Sequence, residues 1–217
     1  SYRGLTSLRE AMAQSMNVIA VKTLNDVSPK IGYDYLLNLG FTTLVDNYTS
    51  QDGKTYTDIS LPLALGGLTK GVTNLELTNG FATIANQGLY HPAFFYTKIV
   101  DHDGNVLLDN TMNTDTRQVM KESTAWLLTS AMEDVILKGT GSRLKFKKIN
   151  MPQAGKTGTS TGNRDLWFVG YTPYLTAGIW GGYDSGQKQT SLTYQKDLWR
   201  DTMEKLNQNY TKVSFKK

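Results

Sequence analysis

Gln153-Ala154-Gly155-Lys156-Thr157-Gly158-Thr159-Ser160 places a cation, two threonine hydroxyls and two glycines in a run that otherwise reads as extended backbone. Glycine inside a strand forfeits packing, so Gly155 and Gly158 imply that another backbone or a ligand approaches the strand face closely. Lys156 supplies a charge between them, and Thr157 and Thr159 supply hydroxyl and amide donors for an anionic or carbonyl group. A glycine-rich turn with an exposed lysine has the same local composition, so the surrounding chain must decide.

Downstream, Leu166 to Tyr171 is a dense apolar run, Thr172-Pro173-Tyr174 is a turn, and Leu175 to Tyr183 returns as a further strand. With the strand at 151–160 this predicts an antiparallel meander. Gln195 to Asn207, with Leu198, Trp199, Met203 and Leu206, predicts an amphipathic helix lying on that sheet.

Upstream, helical spacing dominates. Ser7-x-x-Glu10 is a capping box that starts a helix near Leu8, and Ser15-Met16-Asn17 then interrupts it before the apolar run Val18 to Leu24. On local grounds Ser15 or Asn17 would N-cap the second helix. Ser28-Pro29 opens a third helix that stops at Gly40, and 42–60 reads as a long loop with a turn at Asp52-Gly53. Thr73-x-x-Glu76 is a second capping box, for a helix running to Gly88. Phe94 to Asp101 and Asn105 to Leu108 form a hairpin through His102-Asp103-Gly104, and Val119 to Leu137 is helical, stopped by Gly139-Thr140-Gly141. Helices first, sheet later and a closing helix over the sheet make an α+β fold. Residues 1–138 form a mainly helical part with the hairpin near 94–108, and 139–217 form the sheet part.

The composition narrows the function. A chain of 217 residues with net charge +4 and a pI near 9.1 is mildly basic. Its cations are scattered except at Lys145 to Lys148 and in the tail from Lys212 to Lys217, read as a solvated face and a frayed terminus. Neither cluster makes a basic stripe interleaved with aromatics, which argues against nucleic acid. Cys is absent, excluding disulfides and Cys-ligated metal, and His91 and His102 read as loop residues. No apolar run approaches the roughly 18 residues that span a bilayer, so a membrane anchor is expected outside this sequence. The opening Ser1-Tyr2-Arg3-Gly4-Leu5 lacks an initiator Met and runs at once into a capped helix, as expected of a polypeptide cut in a loop.

Ser15-x-Asn17 followed much later by Lys156-Thr157-Gly158-Thr159 resembles the second and third motifs of penicillin-binding proteins and serine β-lactamases. The surroundings sharpen the likeness: Leu8 to Ala11, Ala64-Leu65-Gly66-Gly67 before Gly71-Val72-Thr73, Ala82 to Gly88, Gly139-Thr140-Gly141, and Asp165 to Pro173. Together they resemble the transpeptidase domain of a class A, bifunctional penicillin-binding protein over nearly the whole chain. The resemblance implies a penicillin-binding fold, no cofactor, and a D-alanyl-D-alanine transpeptidase that cross-links peptidoglycan through a serine acyl-enzyme. It implies stem peptides and β-lactams as partners, at the outer face of the bacterial cytoplasmic membrane. Lys156 would orient the substrate carboxylate, the Thr157 and Thr159 hydroxyls would contact it, and Gly158 would leave room for the peptide along the strand edge. The Thr159 amide would serve the oxyanion hole, Ser15 would relay a proton, and Asn17 would hold a substrate peptide carbonyl. Trp167 and Tyr171 read mainly as core.

One departure is large. The family's first motif, Ser-x-x-Lys, should precede Ser15, and no residue before Ser15 fits it. Ser142-x-x-Lys145 and Ser185-x-x-Lys188 match the pattern but follow Ser15, and neither opens an apolar helix. The nucleophile is therefore expected upstream, with the remaining strands of the sheet, a glycosyltransferase domain and the membrane anchor. A serine β-lactamase or D,D-carboxypeptidase would share these motifs, and without a nucleophile a non-catalytic cell-wall binding module would too.

Overall fold

A computed structural model describes residues 4–112 and 115–217. Ser1 to Arg3, part of the opening stretch discussed above, lie outside the described residues. In chain order the elements are α1 (Leu8–Ala13), α2 (Asn17–Val27), α3 (Pro29–Asn38), β1 (Tyr48–Thr49), β2 (Thr55–Tyr56), α4 (Asn74–Ala85), β3 (Leu89–Tyr90), β4 (Lys98–Val100) and β5 (Val106–Asp109). They continue with β6 (Arg117–Gln118), α5 (Glu122–Leu137), β7 (Ala154–Thr159), β8 (Leu166–Tyr171), β9 (Thr176–Gly181) and α6 (Tyr194–Asn207). Helices and small antiparallel sheets make the expected α+β architecture.

The principal sheet has the order β7-β8-β9 and is antiparallel throughout, pairing Lys156 with Val169 and Thr157 with Phe168. Side chains alternate across a strand, so Phe168 and Tyr171 point to opposite faces. Phe168 meets Trp199 of α6 edge-on at 4.7 Å between centroids, in a core with Ile136 and Leu144. Tyr171, fully buried, packs with Met132 of α5, Phe81 and Ile84 of α4, and Met12 of α1. Its hydroxyl hydrogen-bonds Thr129 at 2.7 Å, and burial pushes its pKa far above the usual tyrosine value despite that bond. The sheet thus lies between α6 on one side and α4 and α5 on the other. A separate core of Tyr33, Phe41, Leu44 and Leu63 supports α2, α3 and the single-turn helix Leu61–Leu65.

The capping readings divide. Thr73 and Glu76 close a reciprocal capping box on α4, and Ser7 accepts the Glu10 amide on α1. α2 is different: Met16 holds the N-cap position without a side-chain hydrogen bond, and Asn17 is the first helical residue. The loop 42–60 contains the short β1–β2 ladder, and β3 pairs with β6, a ladder two residues long that periodicity cannot register. The predicted hairpin is real but shorter, Phe94 to Thr97 being outside β4.

α6 packs on the sheet through a different face from the one its leucines suggest. Trp199 and Met203 are buried, whereas Leu198 and Leu206 are more than half exposed. The polar residues Arg200, Glu204 and Asn207 share the buried face because each is satisfied there. Arg200 donates to the Arg143 carbonyl and to Asp197, Glu204 accepts the amides of Lys147, Lys148 and Ile149, and Asn207 accepts the Thr172 hydroxyl. The C-terminal tail, read as frayed, is docked instead. Phe215 packs edge-on against Tyr171 at 5.5 Å, and the Lys217 ammonium lies 5.7 Å from the Trp126 ring centroid.

Candidate active site

Ser15 sits in a helix-terminating turn rather than a helix-starting cap. Its amide donates to the Met12 carbonyl at 3.2 Å, and the Met16 amide donates to the Ala11 carbonyl at 2.9 Å. That pair of bonds is the Schellman arrangement, whose left-handed residue is usually glycine. Ser15 occupies that position with φ of 53°. A left-handed β-carbon costs about 1–2 kcal/mol, so a serine here points to a need for its hydroxyl. The turn aims Ser15 at β7, where Lys156 Nζ donates to Ser15 Oγ at 2.7 Å and to the Thr157 carbonyl at 3.0 Å.

Arg9, in the first turn of α1, ties that helix to α5 by donating to the Ser130 carbonyl at 2.8 Å, the Ser130 hydroxyl at 2.8 Å and Asp134 at 3.0 Å. α5 also packs along β7, so the Ser-x-Asn turn and the lysine strand share one support. The Lys156 pKa is lowered to about 8, first by burial and then by repulsion from Lys196. The ammonium is held against a desolvation cost that an anionic ligand would offset.

The two glycines of β7 do different work. At Gly155 a β-carbon would lie 2.6 Å from the Phe168 ring and 2.7 Å from the Val169 carbonyl oxygen, so the close approach inferred from sequence is by the sheet itself. At Gly158 it would meet only Trp167, at 3.2 Å, and the residue opens onto clefts on both sides. One cleft, about 890 Å³, runs between α1, α2 and α5 and is lined by Met12, Ser15, Asn17 and Ile19 with Lys156 to Thr159. The other, about 950 Å³, lies on the far side of the same four residues and is walled by Trp167, Trp180 and Phe41. All six residues singled out from sequence, Ser15, Asn17, Lys156, Thr157, Gly158 and Thr159, therefore line a single cleft.

Three features escaped the sequence. Thr140, read as a helix stop within a family-like Gly-Thr-Gly and given no role, hydrogen-bonds Thr157 hydroxyl to hydroxyl at 2.7 Å, while its amide donates to the Ala13 carbonyl at 3.0 Å. Trp167, read as core, is a cleft wall; the antiparallel register that pairs it with Gly158 was the available signal. A third Ser-x-x-Lys match, Ser214 to Lys217, lies in the docked tail with Ser214 exposed, and like the other two it opens no apolar helix. Among the described residues, no three His, Cys, Asp or Glu side chains gather as a metal site, and no helix is long and apolar enough to cross a membrane.

This sheet, with its lysine-bearing edge strand facing a Ser-x-Asn turn, has the fold of solved penicillin-binding proteins. Penicillin-binding protein PonA1 from Mycobacterium tuberculosis superposes with a TM-score of 0.82 at 25% identity, covering 100% of this chain and 60% of that one. Penicillin-binding protein 1A from Haemophilus influenzae gives 0.81 at 20% identity, covering 100% and 36%. Residues 1–204 match the family described as penicillin binding protein transpeptidase domain, and the chain belongs to that family. Among curated relatives, Penicillin-binding protein 4 of Bacillus subtilis is 34% identical over 205 residues, spanning 93% of this chain and 30% of its own length. Penicillin-binding protein 1A of Aquifex aeolicus is 33% identical over 216 residues, spanning 98% and 27%. The chain thus spans under a third of the length of these relatives.

Proposed function

We propose that this chain, with an upstream segment of the same polypeptide, forms a D-alanyl-D-alanine transpeptidase site that cross-links peptidoglycan stem peptides and is acylated by β-lactams. The observation that carries the reading is the Lys156 to Ser15 hydrogen bond, which joins the two motifs across the cleft. Residues 1–138 and 139–217 act as parts of one domain, tied by α5 against β7 and by the Thr140 amide on Ala13.

The upstream segment supplies the serine of Ser-x-x-Lys on an apolar helix. Its seat is the cleft between α1, α2 and α5, where Leu8 is 63% and Leu127 58% exposed and α2 buries no residue fully. The serine Oγ attacks the carbonyl of the penultimate D-Ala, the terminal D-Ala leaves with a proton relayed through Ser15, and a stem-peptide amine then resolves the ester. Lys156, Thr157 and Thr159 hold the terminal carboxylate, the Thr159 amide stabilises the oxyanion, and Asn17 holds a substrate carbonyl. The parent protein is anchored at the outer face of the bacterial cytoplasmic membrane by a segment outside this chain.

Labelling the full-length protein with a fluorescent penicillin, followed by peptide mapping, tests this. PonA1, which shares the fold, has been solved in complex with penicillin V. The adduct is expected on a serine upstream of this chain, with the isolated 217-residue chain unlabelled. An adduct on any serine within the chain sinks the assignment. Product analysis with and without an acceptor amine separates a transpeptidase from a β-lactamase or carboxypeptidase.

A further inference from the structure

Lys156 leaves the edge strand β7 on the α5 side of the sheet. A second lysine approaches it from the other. Lys196, in the first turn of α6, donates to the Thr140 carbonyl at 3.2 Å, and the Thr140 hydroxyl in turn bonds that of Thr157 at 2.7 Å. Thr157 pairs with Phe168, whose ring faces α6, so the Thr157 side chain leaves the strand toward Lys196 while Lys156 leaves toward Ser15. The Thr140 turn is held on one side by its amide on the Ala13 carbonyl, and Lys196 holds its carbonyl from the other.

We propose that Lys196 and Thr140 are positioning residues for carboxylate recognition: Lys196 fixes the Thr140 turn, Thr140 sets the direction of the Thr157 hydroxyl, and the Lys196 ammonium adds a second positive charge behind the strand edge. The inference rests on the transpeptidase reading of the cleft. When Thr140 donates to Thr157, the Thr157 hydrogen is left free for an incoming carboxylate. A lone threonine on an edge strand would rotate among its rotamers and spend part of its time aimed at solvent.

The charge environment makes Lys196 more than a prop. It is half-buried, and burial followed by repulsion from Arg143 lowers its pKa. Arg143 from the turn after α5 and Lys156 from β7 are the charges that face it; Asp197, next in its own helix, is taken up by Arg143 and Arg200. Among the described residues no salt bridge pairs a carboxylate with Lys196, and its charge is felt at the strand as repulsion of Lys156.

The test uses the full-length protein and two acylating agents, a penicillin and its neutral methyl ester. Lys196→Met and Thr140→Val are each expected to slow acylation by the free-acid penicillin about tenfold, the size of one well-placed polar contact, and to leave the ester rate within about twofold. Lys196→Arg and Thr140→Ser restore the free-acid rate, and thermal unfolding verifies that each variant folds. Lys196→Met also moves the alkaline limb of the acylation profile to higher pH, because Lys156 loses a neighbouring like charge; Lys196→Arg leaves that limb in place. Variants that slow acid and ester equally overturn the inference and leave the transpeptidase reading standing. A full-length protein that neither agent acylates overturns both.

Discussion

Lys156 Nζ donates to Ser15 Oγ at 2.7 Å across 141 residues of chain. Neither residue could be there by local preference: Ser15 bears a left-handed backbone, and Lys156 is a mostly buried cation on a strand edge. Two local costs meeting at one hydrogen bond are the pattern expected where stability is given up for function.

The first prediction concerns the charge on Lys156. Burial and Lys196 lower its pKa to about 8, so the ammonium proposed to hold the carboxylate is present below that pH and lost above it. The second-order rate of acylation of the full-length protein by a free-acid penicillin should fall as pH rises through about 8. Lys156→Met should lower the rate by about a hundredfold or more, as for loss of a preorganised electrostatic group, and should abolish the alkaline limb. A limb that survives in Lys156→Met would assign it to another group.

Ser15→Gly separates fold from function. Glycine adopts the left-handed position without the β-carbon cost, and the two backbone bonds of the Schellman turn remain. The variant should be about 0.5–1 kcal/mol more stable, raising Tm by about 1–4 °C for a domain of this size, while acylation falls sharply for want of the hydroxyl. Calorimetry and acylation kinetics on the same sample check both. A Ser15→Gly variant that is less stable would show that the hydroxyl's bond to Lys156 outweighs the backbone strain.

The meander and α6 were legible in the sequence because β8 is a six-residue apolar run and Trp199 and Met203 keep helical spacing. The α+β order and the two capping residues Ser7 and Thr73 followed from the same local signals, whereas Ser15 and Asn17 were singled out only by resemblance to the family's motifs. What remained hidden depends on partners distant in sequence. Arg200, Glu204 and Asn207 look like a solvated face until the amides at 147–149 and the Thr172 hydroxyl come to meet them. Phe215 looks like a loose end until Tyr171 is beneath it. The Ser15 turn was misread as a cap because serine is a poor guess for a left-handed residue, and the reason for it lies 141 residues away.

Gly139 is the hinge pin between the two motifs. A β-carbon there would overlap the Ala13 carbonyl oxygen and lie 2.8 Å from its carbon and 2.9 Å from Val135 Cα, all backbone that cannot rotate aside. Gly139→Ala should therefore destabilise by about 3 kcal/mol and, in whatever fraction folds, push α1 from Thr140 and lengthen the Lys156 to Ser15 contact. Acylation should drop more than the folded fraction does, as measured by active-site titration against circular dichroism. Equal losses would reduce Gly139 to a packing residue.

Glu76 ties α4 to the chain that precedes it. Oε1 accepts the Thr42 amide at 2.7 Å, the Thr42 hydroxyl at 2.8 Å and the Thr43 amide at 3.1 Å, and Oε2 accepts the Thr73 amide and hydroxyl, each at 2.9 Å. Burial pushes its pKa up, but these donors outweigh it and hold the carboxyl at about 2, against 4.5 for an unperturbed glutamate. The folded pKa is depressed, so the unfolded chain binds the proton first as pH falls. The stabilisation is fully present above pH 4.5 and is lost progressively as pH falls toward 2. Asp58, whose burial is likewise outweighed by hydrogen bonds from Val45 and Thr69, adds to the same acid limb. Glu76→Gln should flatten the pH dependence of stability in that window without removing it, because Asp58 still titrates. Glu76→Ala should cost about 2 kcal/mol at neutral pH, as the amides of Thr42, Thr43 and Thr73 lose a charged acceptor. Urea unfolding at pH 7, 4 and 3 reads both effects, and a Glu76→Gln curve parallel to wild type across the window would place the acid limb elsewhere.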